Sequence, residues 1–245
     1  MAENTKIFIT QSTQKRLISD IRELMKNPLT DQGIYYAHDE SDMLKGFGMI
    51  IGPSDTIYSD GFFLFEFIFP YNYPFSPPRL KFKTSDGYTR FHPNLYRNGK
   101  VCLSLLNTWK GEQWTACQTI RSILLTLLTL FHNKPLLNEP GFTEKSHDFI
   151  PYNQIIKYNN YKCAILNMIN QKYLPISFLP FYIFMKKHFI QHYKEIELRI
   201  EKEKQEMPTK QEFMVSVYNL KIIVNYPKLL EDITQLNQLI NIKLK

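Results

Sequence analysis

The chain has 245 residues, of which 44% are hydrophobic and only nine are glycine, so its composition predicts a packed globular protein and excludes an intrinsically disordered one. The formal net charge of +7 lies mostly in the tail, because residues 151–245 carry 14 basic against 8 acidic side chains. These basic residues are mixed with acidic and aliphatic ones, so nucleic acid is not expected as a partner. The tail charge indicates a solvated helix face or an acidic protein partner.

The first predicted element is a helix over QSTQKRLISDIRELMKN, in which Leu17, Ile21 and Leu24 have helical spacing and Pro28 ends the pattern. Four strands are predicted next, in the stretches QGIYYAH, LKGFGMII, FFLFEFIF and RLKFK. The short separations between them favour an antiparallel meander, since parallel pairing needs long crossovers. The third strand is apolar except for Glu66, which indicates that another layer covers the sheet.

A second helix is predicted after Trp114, where Thr115 and Gln118 have the spacing of a capping box. An apolar face follows at helical spacing, formed by Ile120, Ile123, Leu124, Leu127, Leu128 and Phe131. Further helices are predicted over residues 152–172, 181–205 and 227–243, separated near Pro175 and Pro208. The predicted fold class is therefore α+β: a helix, a four-stranded antiparallel meander, an irregular segment and packed helices, followed by an all-α C-terminal extension.

The chain shows no feature of a secreted or membrane protein. No apolar run follows the initial MAENTK, so no signal peptide is expected, and the apolar stretch ISFLPFYIFM is too short to cross a bilayer. Cys102, Cys117 and Cys163 form no C-x-x-C pair, so neither a disulfide framework nor a zinc site is expected. A reducing compartment fits best, which predicts the cytoplasm and leaves the nucleus open.

Cys102 is the candidate for chemistry, in the stretch RFHPNLYRNGKVCLSLLNTW. Its apolar neighbours are typical of a buried structural thiol. However, Asn98-Gly99 predicts a turn just before it, and loops held on a sheet commonly carry functional residues. His92 is followed at once by Pro93 and Asn94, a pattern that favours a pinned loop over a catalytic base. A nucleophilic Cys102 would then react with an activated acyl group such as a thioester.

The residues His92-Pro93-Asn94, with a cysteine eight positions after the asparagine, resemble the active-site motif of ubiquitin-conjugating enzymes. PYNYPFSPPRLKF, Trp114 and the helix after it are similar to that family in the same order, over about residues 11–142. YRNGKVCLSLL, TWKG and NEPGF resemble the class Z type, which carries a helical C-terminal extension. The resemblance implies a catalytic core over residues 8–150 and a helical extension packed on it over residues 151–245.

The resemblance also implies the roles of the site residues. Cys102 would accept ubiquitin, or a ubiquitin-like modifier, as a thioester from an activating enzyme in an ATP-dependent cascade, and would pass it to lysine amines. Asn94 would stabilise the oxyanion or support its own loop, while His92 and Pro93 would be structural. Glu139, beside Asn138, would orient or deprotonate the lysine, or would be a solvated surface residue. Ser104 stands where an aspartate is common in the family.

Partner contacts follow from the same resemblance. Phe75 matches a ligase-contact position, although packing into its loop is the alternative, and Trp114 is expected in the core. Thr115 and Ala116 lie in a loop that contacts ligases in the family, but the usual proline is missing, which leaves a ligase partner open. The expected partners are ubiquitin or a ubiquitin-like modifier and an activating enzyme. No cofactor, metal, nucleic acid or membrane is expected.

Two other functions compete with this one. The first is a catalytically inactive conjugating-enzyme-like module that binds ubiquitin or scaffolds a ligase; inactive relatives typically lack the cysteine, whereas Cys102 and Asn94 are both present. The second is a cysteine protease, which requires a histidine base and an orienting partner. The downstream histidines stand in no recognisable motif; they are His132, His147, His188 and His192.

Overall fold

The computed structural model describes residues 9–242. The MAENTK stretch, the predicted core start at residue 8 and the predicted helix end at residue 243 lie outside the described residues. The first helix, α1 (Gln11–Lys26), ends before Pro28 as predicted. Thr10 begins it, because its side-chain oxygen accepts a hydrogen bond from the Thr13 amide at 3.1 Å and so satisfies a free helix N–H.

Four strands form the predicted antiparallel meander in the order β1-β2-β3-β4. Their register pairs Met49 with Leu64 and Phe65 with Phe82. The meander is confirmed because every connection joins neighbouring strands. The strands are β1 (Ile34–His38), β2 (Lys45–Ile51), β3 (Phe62–Ile68) and β4 (Arg79–Phe82).

Both faces of the sheet are buried, which explains the apolar third strand. Side chains alternate between the faces of a strand, so Phe63, Phe65 and Phe67 join one hydrophobic cluster, together with residues of α1 and of the second helix. Phe62 and Leu64 point to the opposite face, where residues from the C-terminal extension form a second cluster. The layer predicted from β3 is therefore present on each side of the sheet.

The second helix, α2 (Ile120–Leu128), carries the predicted apolar face but begins later than the Thr115–Gln118 spacing suggests. Thr119 is its N-cap: the Thr119 hydroxyl accepts from the Ser122 amide at 3.2 Å, and the Ser122 hydroxyl accepts from the Thr119 amide at 2.9 Å. Residues 115–118 form a turn instead, closed by the Gln118 amide on the Thr115 carbonyl. The prediction of the cap was wrong because a reciprocal pair stands nearer to the first buried residue of the helix.

The C-terminal extension contains the predicted helices. They are α3 (Phe149–Asn159), which continues as a π-helical segment over Asn160–Asn167, α4 (Tyr182–Glu206) and α5 (Tyr226–Ile242). Within residues 9–242, no helix combines the length and apolar character that crossing a bilayer requires. The predicted domain boundary after residue 150 falls inside α3 and stays a prediction.

The extension is not all-α as predicted, because it also contains an antiparallel hairpin, β5 (Gln211–Val215) and β6 (Leu220–Val224). Residues 216–219 form its turn, in which Asn219 takes the left-handed conformation with φ of 46°. Asparagine tolerates that conformation, so a tight turn forms without glycine. Short β-branched and aromatic stretches on either side supply the two strands.

Candidate active site

The segment that carries Cys102 is folded back on itself. Gly99 lies in a tight turn with φ of 84°, and its amide donates to the Tyr96 carbonyl at 2.9 Å. Isolated antiparallel bridges pair His92 with Leu95 and Leu95 with Val101. The turn predicted from Asn98-Gly99 thus returns the chain and places Cys102 beside Asn94.

Cys102 and Asn94 are joined by two hydrogen bonds. The Cys102 amide donates to the Asn94 carbonyl at 2.9 Å, and the Asn94 side-chain amide donates to the Cys102 carbonyl at 2.7 Å. Both residues are buried, with 2% of Cys102 and 5% of Asn94 exposed. The backbone of Cys102 is therefore held at a fixed position, and one hydrogen of the Asn94 amide group is committed to holding it.

His92 is fully buried, and its Nδ1 accepts a hydrogen bond from the Asn94 amide at 3.0 Å. Burial lowers the pKa of its imidazole well below the usual value, and the nearby His132 and Arg90 lower it further. The ring is therefore neutral and holds the loop in place. Among residues 9–242, no imidazole forms a hydrogen bond with the Cys102 thiol. Next to His92, the Pro93 carbonyl accepts from Arg90 at 2.5 Å.

Asn138, one of the predicted site residues, lies against Asn94. The Asn138 side-chain amide approaches Asn94 Oδ1 at 3.5 Å, and its own Oδ1 lies 3.3 Å from His132 Nε2. This chain of contacts orients the Asn94 side chain from behind. His132 thus helps to orient the Asn94 side chain through its contact with Asn138. Of the predicted site residues, the structure brings together Cys102, Asn94 and Asn138.

Glu139 is not a solvated surface residue. Its side chain is 24% exposed, and its Oε2 accepts a hydrogen bond from the Tyr218 hydroxyl at 2.5 Å. The guanidinium of Arg90 lies 3.9 Å from the same oxygen. Tyr218 belongs to the turn of the β5–β6 hairpin, so the C-terminal extension reaches the segment that carries Glu139.

The hairpin turn is fastened to the segment before Cys102. The Arg90 guanidinium lies between two aromatic rings, 4.0 Å from the centroid of Tyr96 and 4.3 Å from that of Tyr218. Arg97 donates to the Tyr218 carbonyl at 2.6 Å. The Asp148 carboxylate accepts from the amides of residues 216 and 217 at 3.0 and 2.9 Å. Together with the hydrogen bond to Glu139, these contacts tie the turn to three segments of the chain, so the position of Tyr218 is well determined.

Ser104 begins a short 3₁₀ turn, Ser104–Leu106, directly after Cys102. The long loop that follows folds back over it, because a Cβ built on Gly111 would lie only 3.0 Å from the Ser104 Cβ. Asn107 closes the base of this loop by accepting a hydrogen bond from the Trp114 amide at 2.8 Å. The lengthened stretch between Cys102 and Trp114 therefore packs beside the site.

The predicted partner-contact residues are exposed. Phe75 exposes 73% of its surface, and Thr115 and Ala116 are also exposed. Trp114 is buried as predicted, and its Nε1 donates to the Pro74 carbonyl at 2.6 Å, which joins the two loops. The loop lacks the family's proline, but Arg16 donates to the Ala116 carbonyl at 2.6 Å and so fixes its backbone.

Sequence reasoning missed Tyr218, Arg90 and the role of His132. Tyr218 gave no signal, since it lies in a segment interpreted as a break between helices. Arg90 stands two residues before His92, and this position is the only signal in the sequence that could have indicated it. Within residues 9–242, the three side chains whose ligand atoms lie close enough together to hold a metal ion are Asp60, His188 and His192, none of which is a predicted site residue.

The chain is similar to several known proteins. A family model described as ubiquitin-conjugating enzyme matches residues 16–156. The human protein ubiquitin-conjugating enzyme E2 Z is 41% identical over 181 residues, which are 73% of this chain and 50% of that protein. The zebrafish (Danio rerio) E2 Z is 40% identical over 181 residues, 73% of this chain and 54% of that protein. The solved structure of human ubiquitin-conjugating enzyme E2 G1 has a TM-score of 0.44 and 31% identity, covering 51% of this chain and 98% of its own.

The chain spans about half the length of the curated E2 Z relatives that it matches. The family model nevertheless covers more than half of the chain, from the middle of α1 into α3. The resemblance inferred from the HPN–cysteine pattern is therefore confirmed, and the chain belongs to the ubiquitin-conjugating enzyme family, with similarity to its class Z members.

Proposed function

We propose that this protein is an active conjugating enzyme. Cys102 accepts ubiquitin or a ubiquitin-like modifier as a thioester from an activating enzyme, and the acyl group then passes to a lysine amine. The observation that carries this proposal is the pair of hydrogen bonds between Cys102 and Asn94, which fixes the nucleophile beside an amide donor. Inactive relatives typically lack the cysteine, whereas this chain carries both members of the pair.

In the first step, the Cys102 thiolate attacks the thioester carbonyl that joins the modifier to the activating enzyme. The carbonyl oxygen becomes an oxyanion, the new carbon–sulfur bond forms, and the cysteine thiolate of the activating enzyme leaves. An amide donor near that oxygen lowers the barrier, because donors aimed at developing charge act strongly in a buried site. Asn94 uses one amide hydrogen on the Cys102 carbonyl, and its second hydrogen serves this role.

In the second step, a neutral lysine amine attacks the thioester on Cys102. An isopeptide bond forms, the amine loses a proton, and the Cys102 thiolate leaves. Glu139 accepts that proton or orients the amine, and Asn138 keeps Asn94 in place for the second oxyanion. The hydrogen bond from Tyr218 fixes the direction of the Glu139 carboxylate. Ser104, two positions after Cys102, is small and neutral and cannot accept the proton, so Glu139 takes that role.

The proposal includes the partners that the family chemistry requires, an activating enzyme and a modifier. A ligase is the third partner, bound at the surface formed by Phe75, Thr115 and Ala116. This surface is exposed and is held in one arrangement by the Trp114–Pro74 and Arg16–Ala116 hydrogen bonds. An exposed aromatic residue such as Phe75 is a good anchor for a protein partner.

A charging assay tests the proposal. The protein is mixed with ATP, ubiquitin and a panel of activating enzymes, and the products are run on gels with and without thiol. We expect an adduct of the size of ubiquitin that thiol removes. It should be lost in Cys102→Ala and retained in Cys117→Ala, a matched control because Cys117 is an exposed free cysteine.

Two results would contradict the proposal. If the well-folded protein forms no adduct with ubiquitin or ubiquitin-like modifiers, the inactive module becomes the better account. If Cys102→Ala still charges, the nucleophile is a different residue. Cleavage of a peptide or ubiquitin ester that depends on Cys102 would instead favour a protease.

A further inference from the structure

A cluster of histidine and aspartate side chains lies outside the site described above. Asp60 comes from the connection between β2 and β3, whereas His188 and His192 are one turn apart on α4. One ligand atom from each of the three residues lies within 4.8 Å of the others. The two imidazole rings are nearly parallel, with centroids 4.2 Å apart. The cluster therefore presents two imidazoles and one carboxylate to the same small volume.

Each of the three residues of the cluster forms a hydrogen bond with a neighbouring side chain. His188 Nε2 lies 2.8 Å from Asp60 Oδ1, and the second oxygen of Asp60 is bound by Arg199. His192 Nδ1 lies 3.3 Å from Glu195 Oε2. A histidine that donates one ring N–H to a carboxylate has its other nitrogen free for a metal, and metal-binding histidines usually have such a partner. Glu195 therefore leaves Nε2 of His192 as the ligand atom.

We propose that Asp60, His188 and His192 bind a divalent transition-metal ion, for which Zn²⁺ is the best fit. Zinc takes imidazole nitrogen and carboxylate oxygen at about 2.0–2.1 Å in a tetrahedral arrangement. Such bond lengths separate neighbouring ligand atoms by about 3.3 Å, so His188 and Asp60, now 2.8 Å apart, would open by about 0.5 Å. Ligand atoms that are now as much as 4.8 Å apart would close by up to about 1.5 Å. The cysteine spacing gave no sign of this site because its donors are histidine and aspartate.

The surroundings leave room for entry of the ion and for a fourth ligand. The cluster lines a solvent-open cavity of about 520 Å³ that also includes Glu195 and Arg199. A water molecule from this cavity completes the tetrahedron. The guanidinium of Arg199 stays on the outer oxygen of Asp60, where it orients the ligating carboxylate rather than competing for the ion.

The ion would join two distant parts of the chain. Asp60 and His188 are 128 positions apart, one in the sheet connection and the other in the extension. The unfolded chain brings no such set of ligands together, so binding favours the state in which α4 is docked. The site is therefore a metal-dependent attachment of the extension to the core.

Direct binding tests the site without any activity assay. The chelator-treated 245-residue chain is titrated with Zn²⁺ by calorimetry, and Co²⁺ is used in parallel as an absorbing probe. We expect one equivalent of Zn²⁺ to bind. The bound Co²⁺ should show tetrahedral absorption without a thiolate charge-transfer band, since no cysteine belongs to the cluster.

Variants then assign the ligands. His188→Gln and His192→Gln should each abolish the one-equivalent binding, and the His192 side chain, 39% exposed, can be replaced without disturbing the fold. Glu195→Gln should weaken the affinity by about 10- to 100-fold, as for other outer partners of metal ligands. His147→Gln is the matched control, since its side chain is 93% exposed and outside the cluster, and it should bind like the parent.

Three outcomes overturn the proposal. The first is that the parent protein shows no binding when it is titrated with Zn²⁺. The second is that the His192→Gln variant binds Zn²⁺ with the affinity of the parent. The third is a Co²⁺ spectrum with thiolate ligation, which would assign the ion to a cysteine such as the exposed Cys117.

Discussion

At the scale of one residue, Asn94 supports the loop around Cys102 and has a role in the proposed reaction. Its carbonyl and its side-chain amide both contact the backbone of Cys102, and its Oδ1 faces Asn138. Removing the side chain therefore leaves a buried carbonyl without its donor, and under the proposed mechanism it also removes a donor to the oxyanion. The first effect lowers the free energy of unfolding, and the second lowers the rate of acyl transfer.

For Asn94→Ala we expect the free energy of unfolding to fall by about 1–3 kcal/mol, because the Cys102 carbonyl loses its buried partner. We expect transfer to lysine to slow by about 10²- to 10³-fold, as with the loss of one oxyanion donor elsewhere. Denaturant unfolding and single-turnover discharge of the charged enzyme measure the two quantities. A variant that is destabilised but discharges at the normal rate would limit Asn94 to loop support.

The neutral, buried His92 predicts a pH dependence of stability. Its pKa is lowered in the folded protein, so as the pH falls through about 6.5 the unfolded chain binds a proton that the folded chain does not. Stability is therefore full above that pH and falls below it, by at most about 1.4 kcal/mol per pH unit for this group. His38, whose pKa burial also lowers, acts in the same direction.

Urea unfolding of the parent between pH 7 and pH 5 measures this slope. We expect His92→Gln to reduce the slope and the exposed-histidine variant His147→Gln to leave it unchanged. An equal slope in the parent and in His92→Gln would show that His92 does not hold a depressed pKa.

At the scale of elements, the β5–β6 hairpin connects the extension to the site. Its turn residue Tyr218 donates to Glu139, stacks on Arg90 and accepts from Arg97. Burial raises the pKa of the Tyr218 hydroxyl, and the hydrogen bond to Glu139 raises it further, so this group stays a donor at neutral pH. The hairpin therefore acts on the direction of the Glu139 carboxylate.

For Tyr218→Phe we expect charging of Cys102 to remain normal and discharge onto lysine to slow about fivefold, which corresponds to about 1 kcal/mol in the barrier. The ring is retained, so the stacking on Arg90 persists. Tyr88→Phe is the matched control, because the Tyr88 hydroxyl also contacts the hairpin, through the Lys221 amide, but not Glu139. Equal discharge rates in the two variants would remove Tyr218 from the mechanism.

The hairpin also shows where prediction from the sequence reaches its limit. The meander was predictable because its strands are rich in aromatic and aliphatic residues, and short stretches of turn-forming residues, DESD, GPSDTIYSDG and YNYPFSPP, separate them. In the hairpin the hydrophobic alternation is weak, since its exposed positions include the apolar Met214 and Ile223, and its turn uses Asn219 in place of glycine. The segment was therefore interpreted as a break between helices.

The same distinction holds for the site. Cys102 and Asn94 are eight positions apart, so a local turn is enough to bring them together, and their pairing was predictable. Glu139 and Tyr218 are 79 positions apart and meet only because the hairpin docks on the core. Sequence spacing carries no information about that docking, and Glu139 was therefore left open as a solvated residue.

At the scale of the whole molecule, the sheet is a middle layer. Five apolar side chains face the extension: Phe47, Met49, Ile51, Phe62 and Leu64. Full burial of one such side chain contributes about 1.5–3 kcal/mol. Together they approach the whole stability of a typical domain, about 5–15 kcal/mol. The extension is thus expected to be needed for a stable core.

For a chain ending at residue 148 we expect aggregation, or strong binding of a hydrophobic dye, because the sheet face becomes exposed. In the full chain, limited proteolysis should cleave no faster after α3 begins than within the core. Rapid loss of everything beyond about residue 150, with the remainder intact and soluble, would contradict this dependence. The unchanged 245-residue chain under the same conditions is the control.

The covered sheet has a consequence for biosynthesis. All four strands of the meander leave the ribosome before the helices that cover their second face, which begin only with α3. At about 5–20 residues per second, synthesis of the 95 residues after position 150 takes roughly 5–20 s. During that interval the nascent chain displays an apolar surface that has no partner of its own. A chaperone acting at the ribosome would therefore bind this protein for longer than it binds a family member whose sheet faces water.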